Sequence, residues 1–325
     1  MSGKKVLITG AGGFIGSHLA ERLVIEGATV RAFVHYNASG KNGWLDESDY
    51  RGEMEIVAGD VCDRDTIRSA AKGVEVIFHL AALIAIPYSY QAPFSYMRTN
   101  IEGTLNVLQS AIDRGVKKVI HTSTSEVYGT ARHVPIDESH PLQAQSPYSA
   151  SKIGADKAAE AFYHSFGLPI VTIRPFNTFG PRQSGRAVVP TIIAQCLSGE
   201  AIRLGSVHPR RDLNYVSNTV DGYILASESD QAVGKTMNLG SGREISIGDL
   251  VKVIAGLTKR DVHIEEDHRR VRPEKSEVDR LLADSSQADK ILGWKPRVGL
   301  EEGLSITIEW MRQNLTRYHS DKYAI

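Results

Sequence analysis

Cysteine is almost absent. Only Cys62 and Cys196 occur in 325 residues, far apart and without metal-ligand spacing, so the sequence argues against a disulfide framework and for two reduced, buried thiols. An excess of charge of either sign is also missing: 38 Lys and Arg balance 38 Asp and Glu. No basic surplus points to nucleic acid, and no polybasic run points to an anionic membrane surface. No apolar stretch approaches the roughly 18 residues that a membrane span requires. The opening run Val6-Leu7-Ile8 is too short for a secretion signal and passes straight into glycines. The expectation is a cytoplasmic protein. Internal repeats and low-complexity tracts are absent, and the eleven histidines show no HxxxH or His/Asp clustering. His79 and His121 fall in apolar runs and read as core residues, so no metal is expected.

What is present is an ordinary globular balance, 42% hydrophobic and 23% charged residues, with a regular alternation in its first half. Short β-branched runs at 6–9, 29–34, 55–58, 74–79, 118–124 and 170–174 alternate with helix-compatible stretches at 13–26, 64–72, 94–114 and 148–166. This pattern predicts an α/β fold, a Rossmann-type doubly wound parallel sheet with crossover helices. Arg174-Pro175 closes the alternation, because proline cannot continue a central strand. Beyond it the elements are shorter and mixed, punctuated at Gly180-Pro181, His208-Pro209, Gly240-Ser241-Gly242 and Arg272-Pro273. The chain therefore divides into a dinucleotide-binding domain, 1–176, and a smaller mixed α/β substrate lobe, 177–325, some of whose segments return to the first. The polar tail 317–325 is expected to fray.

The first run enters Gly10-Ala11-Gly12-Gly13-Phe14-Ile15-Gly16 and then a helix. Such a junction suits a pyrophosphate: the chain turns tightly, its backbone approaches closely, and helix-terminal N–H groups face the anion. Gly10, Gly13 and Gly16 are the glycines singled out, with Phe14 and Ile15 opening the helix. The second run ends in Phe33-Val34-His35-Tyr36-Asn37-Ala38-Ser39 and has no acid for the adenosine ribose. His35, Arg31 and the small polar residues could take a 2′-phosphate, or form a solvated loop, so NAD and NADP both stay open. Asp60-Val61, after the third run, is placed to touch the adenine edge.

Tyr148-Ser149-Ala150-Ser151-Lys152 sets a tyrosine and a lysine at i and i+4 on one helix face. A phenol with a reference pKa of about 10 is a poor base at neutral pH. A neighbouring ammonium and an oxidised nicotinamide would favour the phenolate, and a shift of about 3 units needs about 4 kcal/mol.

Together with Asp60-Val61, His79-Leu80-Ala81-Ala82, Asn100, Arg174-Pro175-Phe176-Asn177 and Leu292-Gly293-Trp294-Lys295-Pro296, these motifs resemble the extended short-chain dehydrogenase/reductase superfamily over nearly the whole chain. Thr122-Ser123-Thr124-Ser125-Glu126-Val127-Tyr128-Gly129 narrows the likeness. Sugar 4-epimerases usually carry small residues where Glu126 stands. The 4,6-dehydratases carry Thr-Asp-Glu or Thr-Ser-Glu, and uronate decarboxylases also carry Thr-Ser-Glu. Residues 83–89 and 272–277 look most like the 4,6-dehydratases of the legionaminic acid pathway, which act on nucleotide-linked N-acetylglucosamine.

The resemblance implies a tightly bound NAD or NADP, regenerated each turnover, and a UDP- or GDP-linked N-acetylglucosamine. It assigns Leu80, Ala81, Ala82 and Asn100 to the cofactor, beside Tyr148 and Lys152. In the implied chemistry Tyr148 takes the 4-hydroxyl proton while the C4 hydride departs, and Thr124 holds the same oxygen. The new ketone acidifies the C5 proton, which Glu126 removes; a serine or alanine there could not act as the base. Ser125, or Glu126 itself, protonates the leaving 6-hydroxyl, and hydride returns to C6. Asn177, Arg211 and Arg272 are suited to the diphosphate, Val188 flanks the base, and Ile84 and Tyr88 line the substrate. The long helices at 94–114 and 148–166 carry apolar positions on more than one face and imply a homodimer or a dimer of dimers. The alternatives are a uronate decarboxylase, which needs a cation facing the C6 carboxylate, a 4-epimerase, and an NADPH-sensing protein without catalysis.

Overall fold

A computed structural model describes residues 1–199 and 201–318; the tail from residue 319, part of the segment expected to fray, lies outside the described residues. Six strands of the first half, β1 (Lys5–Thr9), β2 (Thr29–His35), β3 (Met54–Gly59), β4 (Val76–His79), β5 (Lys118–Thr122) and β6 (Ile170–Pro175), all pair in parallel. Their burial on both faces explains the near-continuous apolar runs. The second half adds β7 (Asn177–Phe179), β8 (Ala201–Leu204), β9 (Arg210–Tyr215), β10 (Thr236–Leu239), β11 (Glu244–Ser246), β12 (His263–Glu266) and β13 (Arg280–Leu281). The main sheet has the order β10-β6-β5-β4-β1-β2-β3, a doubly wound Rossmann arrangement. The strand that ends in Pro175 is not its edge. β10 comes back from the second half and pairs in parallel with β6, register Met237 to Ile173 and Leu239 to Pro175.

The helices of the first half are α1 (Phe14–Ile25), α2 (Arg64–Ala70), α3 (Ile86–Gln91), α4 (Pro93–Tyr96), α5 (Gly103–Arg114) and α6 (Pro147–Phe166). Ser146 and Ser149 close a capping box on α6, Pro147 sits in its first turn, and Gly167 ends it at φ +67°. The single helix expected over 94–114 is instead helical in three registers: α4, a wider π turn at Met97–Glu102, and α5. Asn100 lies in that wide turn, a common place for a functional side chain.

The second half continues with α7 (Val188–Ser198), α8 (Val216–Glu228), α9 (Ile247–Thr258), α10 (Ser286–Leu292) and α11 (Leu300–Gln313). A small mixed sheet, β11-β9-β13 with β7 on β9, and the pair β12-β8 lie outside the main sheet. One apolar cluster runs from Val6, Leu19 and Val30 through Ile193 and Tyr223 to Leu250, Trp294 and Leu304. The two halves of the chain share a core. Among the described residues no helix is long and apolar enough to cross a membrane. Of the two cysteines, Cys196 is buried as expected, but Cys62 is only half-buried.

Candidate active site

The glycine turn between β1 and α1 is built as a cradle. Gly10 has φ +73°, and a Cβ there would meet the Ala81 amide nitrogen at 2.9 Å. A Cβ on Gly16 would run into the Gly10 carbonyl, and one on Gly13 would press it at 3.2 Å. Gly13 is the N-cap of α1 and supplies no side chain to the first-turn N–H groups, which leaves them to an anion. Gly12, which the sequence reading passed over, is more confined than Gly13. Its Cβ would strike the Asn42 carbonyl, and its own carbonyl accepts the Trp44 N–H at 3.0 Å. The segment after β2 thus folds onto the glycine turn.

Thr9 ties this cradle to the next crossover. Its hydroxyl accepts from the Leu80 and Ala81 N–H groups (3.2 Å each) and bonds His79 Nδ1 at 2.8 Å. His79 Nε2 reaches Thr104, which itself donates to the Asn100 carbonyl. His79 therefore donates from Nε2 and accepts at Nδ1; burial holds it well below the usual histidine range, hence neutral. Asn100 has its amide fully engaged: it donates to the Leu83 carbonyl (2.9 Å) and Ser151 Oγ (2.8 Å) and accepts from Leu83 N–H (2.9 Å). In this structure Asn100 holds the 80–83 segment, half-buried at Leu80, Ala81 and Ala82, against α6.

At the adenosine end, His35 is exposed at the tip of β2. Asp60 is exposed and caps its own turn through the Cys62 N–H at 2.8 Å, while Val61 is buried beneath Gly103. Arg31 cannot serve a 2′-phosphate. It is buried, bonded to the Ala70 and Lys72 carbonyls and paired with Glu55 at 2.8 Å; the guanidinium is spent inside the fold. The carboxylate of Asp46 is likewise occupied by the Asn42 backbone and side chain.

The five groups proposed for chemistry converge where β5 meets the N-terminal half of α6. All are nearly inaccessible: Thr124 9%, Ser125 2%, Glu126 9%, Tyr148 7% and Lys152 4% exposed. β5 ends at Thr122, two residues short of the expectation, because Thr124 turns the chain into a short 3₁₀ turn, Ser125–Tyr128, and caps it by accepting the Glu126 N–H at 3.2 Å. Lys152 donates to the Thr122 carbonyl at 2.5 Å. Burial lowers its pKa to about 8, opposed by Asp156. Burial pushes the Tyr148 phenol well above its ordinary value; the Thr124 hydroxyl opposes the rise, and Glu126, Tyr96 and Asp156 add to it. The protein alone therefore does not make Tyr148 a base.

On the substrate side, Tyr88, Tyr96 and Tyr148 stand in a row with ring centroids 6.2 Å apart in each step; Tyr88 and Ile84 are exposed. Val188 opens α7, half-buried. Arg211 is buried, donates to Glu277 at 3.1 Å, and stands within electrostatic reach of Glu126 and Arg272. Arg272 approaches the same Glu277 oxygen at only 3.6 Å, and its Nη1 is buried without a hydrogen-bond partner, as is Asn177 Oδ1. Two of the three residues assigned to the diphosphate thus present an unsatisfied polar atom, which native interiors rarely tolerate without a ligand or water.

The profile of the family described as GDP-mannose 4,6 dehydratase matches residues 7–307. The chain belongs to that family. It is also 33% identical to a UDP-glucose 4-epimerase of Mycolicibacterium smegmatis, over 95% of this chain and 98% of that one. Pal from Bacillus thuringiensis superposes with a TM-score of 0.88 at 31% identity, covering 95% and 99% of the two chains. The dTDP-glucose 4,6-dehydratase DesIV from Streptomyces venezuelae, solved with NAD and TYD bound, superposes with a TM-score of 0.87 at 28% identity over 98% and 100%. The protein is an extended short-chain dehydrogenase/reductase with a nicotinamide dinucleotide cofactor, in a family of nucleotide-sugar dehydratases and epimerases. The bare α1 terminus and the glycine cradle fit that cofactor.

Two features of this family member escaped the sequence. The 272–277 segment is latched to the active-site loop, with Ser276 donating to the Gln145 carbonyl and accepting from Tyr90, both at 2.6 Å. A cavity of about 390 Å³ lies behind α6, lined by Glu138, His140, Glu160, Tyr163, Asp156 and Arg174; none of the five catalytic candidates borders it.

Proposed function

We propose that the protein catalyses 4,6-dehydration of a nucleotide-linked hexose, UDP- or GDP-N-acetylglucosamine. The observation that carries this reading is Glu126: a buried carboxylate within electrostatic reach of the Tyr148 phenol, on the turn that Thr124 caps. Epimerisation leaves the C5 proton in place and has no use for a carboxylate there. A uronate decarboxylase shares the glutamate, so the mass of the product, not Glu126, separates the two reactions. Bound nicotinamide supplies the hydride acceptor for C4 and the donor for C6. The chain's own groups do the rest. Lys152 orients and charges the site, Tyr148 accepts the 4-hydroxyl proton, Thr124 fixes that oxygen, and Glu126 moves the C5 proton. Ser125 stands next to it for the leaving hydroxyl, and Asn177, Arg211 and Arg272 hold the diphosphate, with Val188, Ile84 and Tyr88 around the rest of the substrate.

The deciding experiment is incubation with UDP- and GDP-N-acetylglucosamine and with UDP-glucuronate, followed by mass measurement and absorbance. Loss of water with only catalytic cofactor is expected, since hydride leaves and returns. Loss of carbon dioxide, an isomer of unchanged mass, or reduced nicotinamide growing with product would each remove the dehydratase reading.

The same reading places a second copy against α5 and α6. Leu105 on α5, Phe166 on α6 and Phe94 on the preceding α4 expose 39%, 63% and 87% of their surface, a costly display for a monomer. A homodimer or dimer of dimers is expected by light scattering at micromolar concentration, and a monomer there would refute it.

A further inference from the structure

We infer that Asp156 is the positioning residue of this site: it keeps the Lys152 ammonium charged and binds the helix carrying Tyr148 to the strand end carrying Thr124 and Glu126. The inference rests on C4 oxidation by Tyr148 and Lys152, a step shared by dehydration, epimerisation and decarboxylation, so it outlives a failure of the dehydratase reading.

The argument starts from spacing. Tyr148, Lys152 and Asp156 occupy successive i, i+4 positions of α6 and fall on one face, all of them buried. Along the strand end the roles alternate, as period-two geometry requires. His121 and Ser123 send their side chains to Asp156, at 3.0 Å to Oδ1 and 2.7 Å to Oδ2. Thr122 between them gives its carbonyl to Lys152 and its hydroxyl to Tyr223. Thr124 then begins the turn that holds Glu126. From the neighbouring strand, Arg174 closes on Asp156 Oδ2 at 3.0 and 3.3 Å and continues to Tyr128, whose hydroxyl bonds Asn238 of β10. One carboxylate therefore gathers donors from two strands and fastens them to the catalytic helix.

Charge makes the role more than mechanical. Lys152 is within electrostatic reach of His79 from β4 and His121 from β5; Arg174 from β6 lies beyond Asp156, Tyr148 is one turn back on the same helix, and Tyr223 of α8 bonds the Thr122 hydroxyl. Both histidines are held below their ordinary range by burial and supply no negative charge. Asp156, kept ionised down to about 2 despite its burial by His121, Arg174 and Ser123, is the anion that opposes desolvation of the lysine. Without it, a lysine already near 8 loses its proton at a still lower pH. The loss of charge then reaches Tyr148, whose phenolate is left with the Thr124 hydroxyl and the cofactor to favour it.

The test is the pH profile of kcat in whichever nucleotide-sugar turnover the enzyme performs, with thermal melting alongside. Activity requires charged Lys152, so it fails as pH rises through the lysine pKa, and that alkaline limb is the readout. Asp156→Asn should move the limb down by about one unit or more, the usual size of an opposite-charge effect at close range, while activity at pH 6 changes far less. Asp156→Glu should restore the limb. Ser123→Ala removes one hydrogen bond but no charge; it should lower the melting temperature and leave the limb in place. Arg174→Gln strips away the cation that competes for Asp156 and should move the limb up. This last variant decides the matter if Asp156→Asn does not fold. Coincident limbs for Asp156→Asn and the unaltered enzyme, or a downward move in Arg174→Gln, would reduce Asp156 to a structural ion pair and overturn the inference.

Discussion

Tyr148→Phe is expected to abolish turnover at its first step, with no product and no reduced cofactor, whereas Glu126→Gln should stop the reaction half-way. The two variants separate because the groups serve different protons. Tyr148 and Lys152 act at the C4 oxygen, and without the phenol the alcohol has no acceptor for its proton. Glu126 acts one carbon further on. Glutamine keeps its shape and its hydrogen bonding but removes the base, so oxidation proceeds and elimination slows by about 10²–10⁴-fold. The expected signature is a stoichiometric absorbance burst at the reduced-nicotinamide band, with C5 hydrogen exchange from deuterated water falling in step with product. Ser125→Ala should do less, since Glu126 stands next to it and can return the proton. Normal dehydration by Glu126→Gln, or a larger loss in Ser125→Ala, would take the C5 proton away from Glu126.

A comparably large effect is expected far from the reacting carbons, at Gly43. Gly40 and Gly43 have the same left-handed backbone, φ +65° and +67°, which costs an alanine roughly 1–2 kcal/mol at either position. Their surroundings differ. A Cβ on Gly40 meets nothing within 4 Å, whereas one on Gly43 collides with the Gly12 carbonyl of the cofactor cradle. Gly43→Ala must lift the 42–47 segment off the glycine turn. It should also disturb Trp44, which packs on Trp310 at 5.5 Å and under Arg317 at 5.2 Å. Cofactor affinity measured by calorimetry should fall about 10- to 100-fold, or about 1.4–2.8 kcal/mol, against little change in Gly40→Ala. Equal affinities in the two variants would mean that the segment does not brace the cradle.

The contrast between these two sites shows what a linear reading can reach. Tyr148 and Lys152 were legible because helix geometry puts i and i+4 together whatever surrounds them, and β1 to β6 because strands buried on both faces must be apolar. Gly12 and Gly43 are thirty-one positions apart in the chain, and only the fold sets the Gly12 carbonyl where a Cβ on Gly43 would have to stand. Arg31 misled for the same reason: its charge is cancelled by Glu55, its register partner on β3. Asp156 carries no mark in the sequence, one of two acids on α6, because the donors that define it come from the end of β5 and from β6. β10 is four residues long, Thr-Met-Asn-Leu, too short for any periodicity to declare which sheet it joins.

That last strand also has a bearing on synthesis. A ribosome delivers the chain from its N-terminus, so β6 exists before β10 does and its outer backbone groups stand open, an invitation to pair with another nascent chain. Only when Leu239 has emerged, with α7, β9 and α8 already behind it, can the main sheet be sealed. The first 176 residues, released as a fragment, would carry that open edge permanently and should aggregate where the whole chain does not.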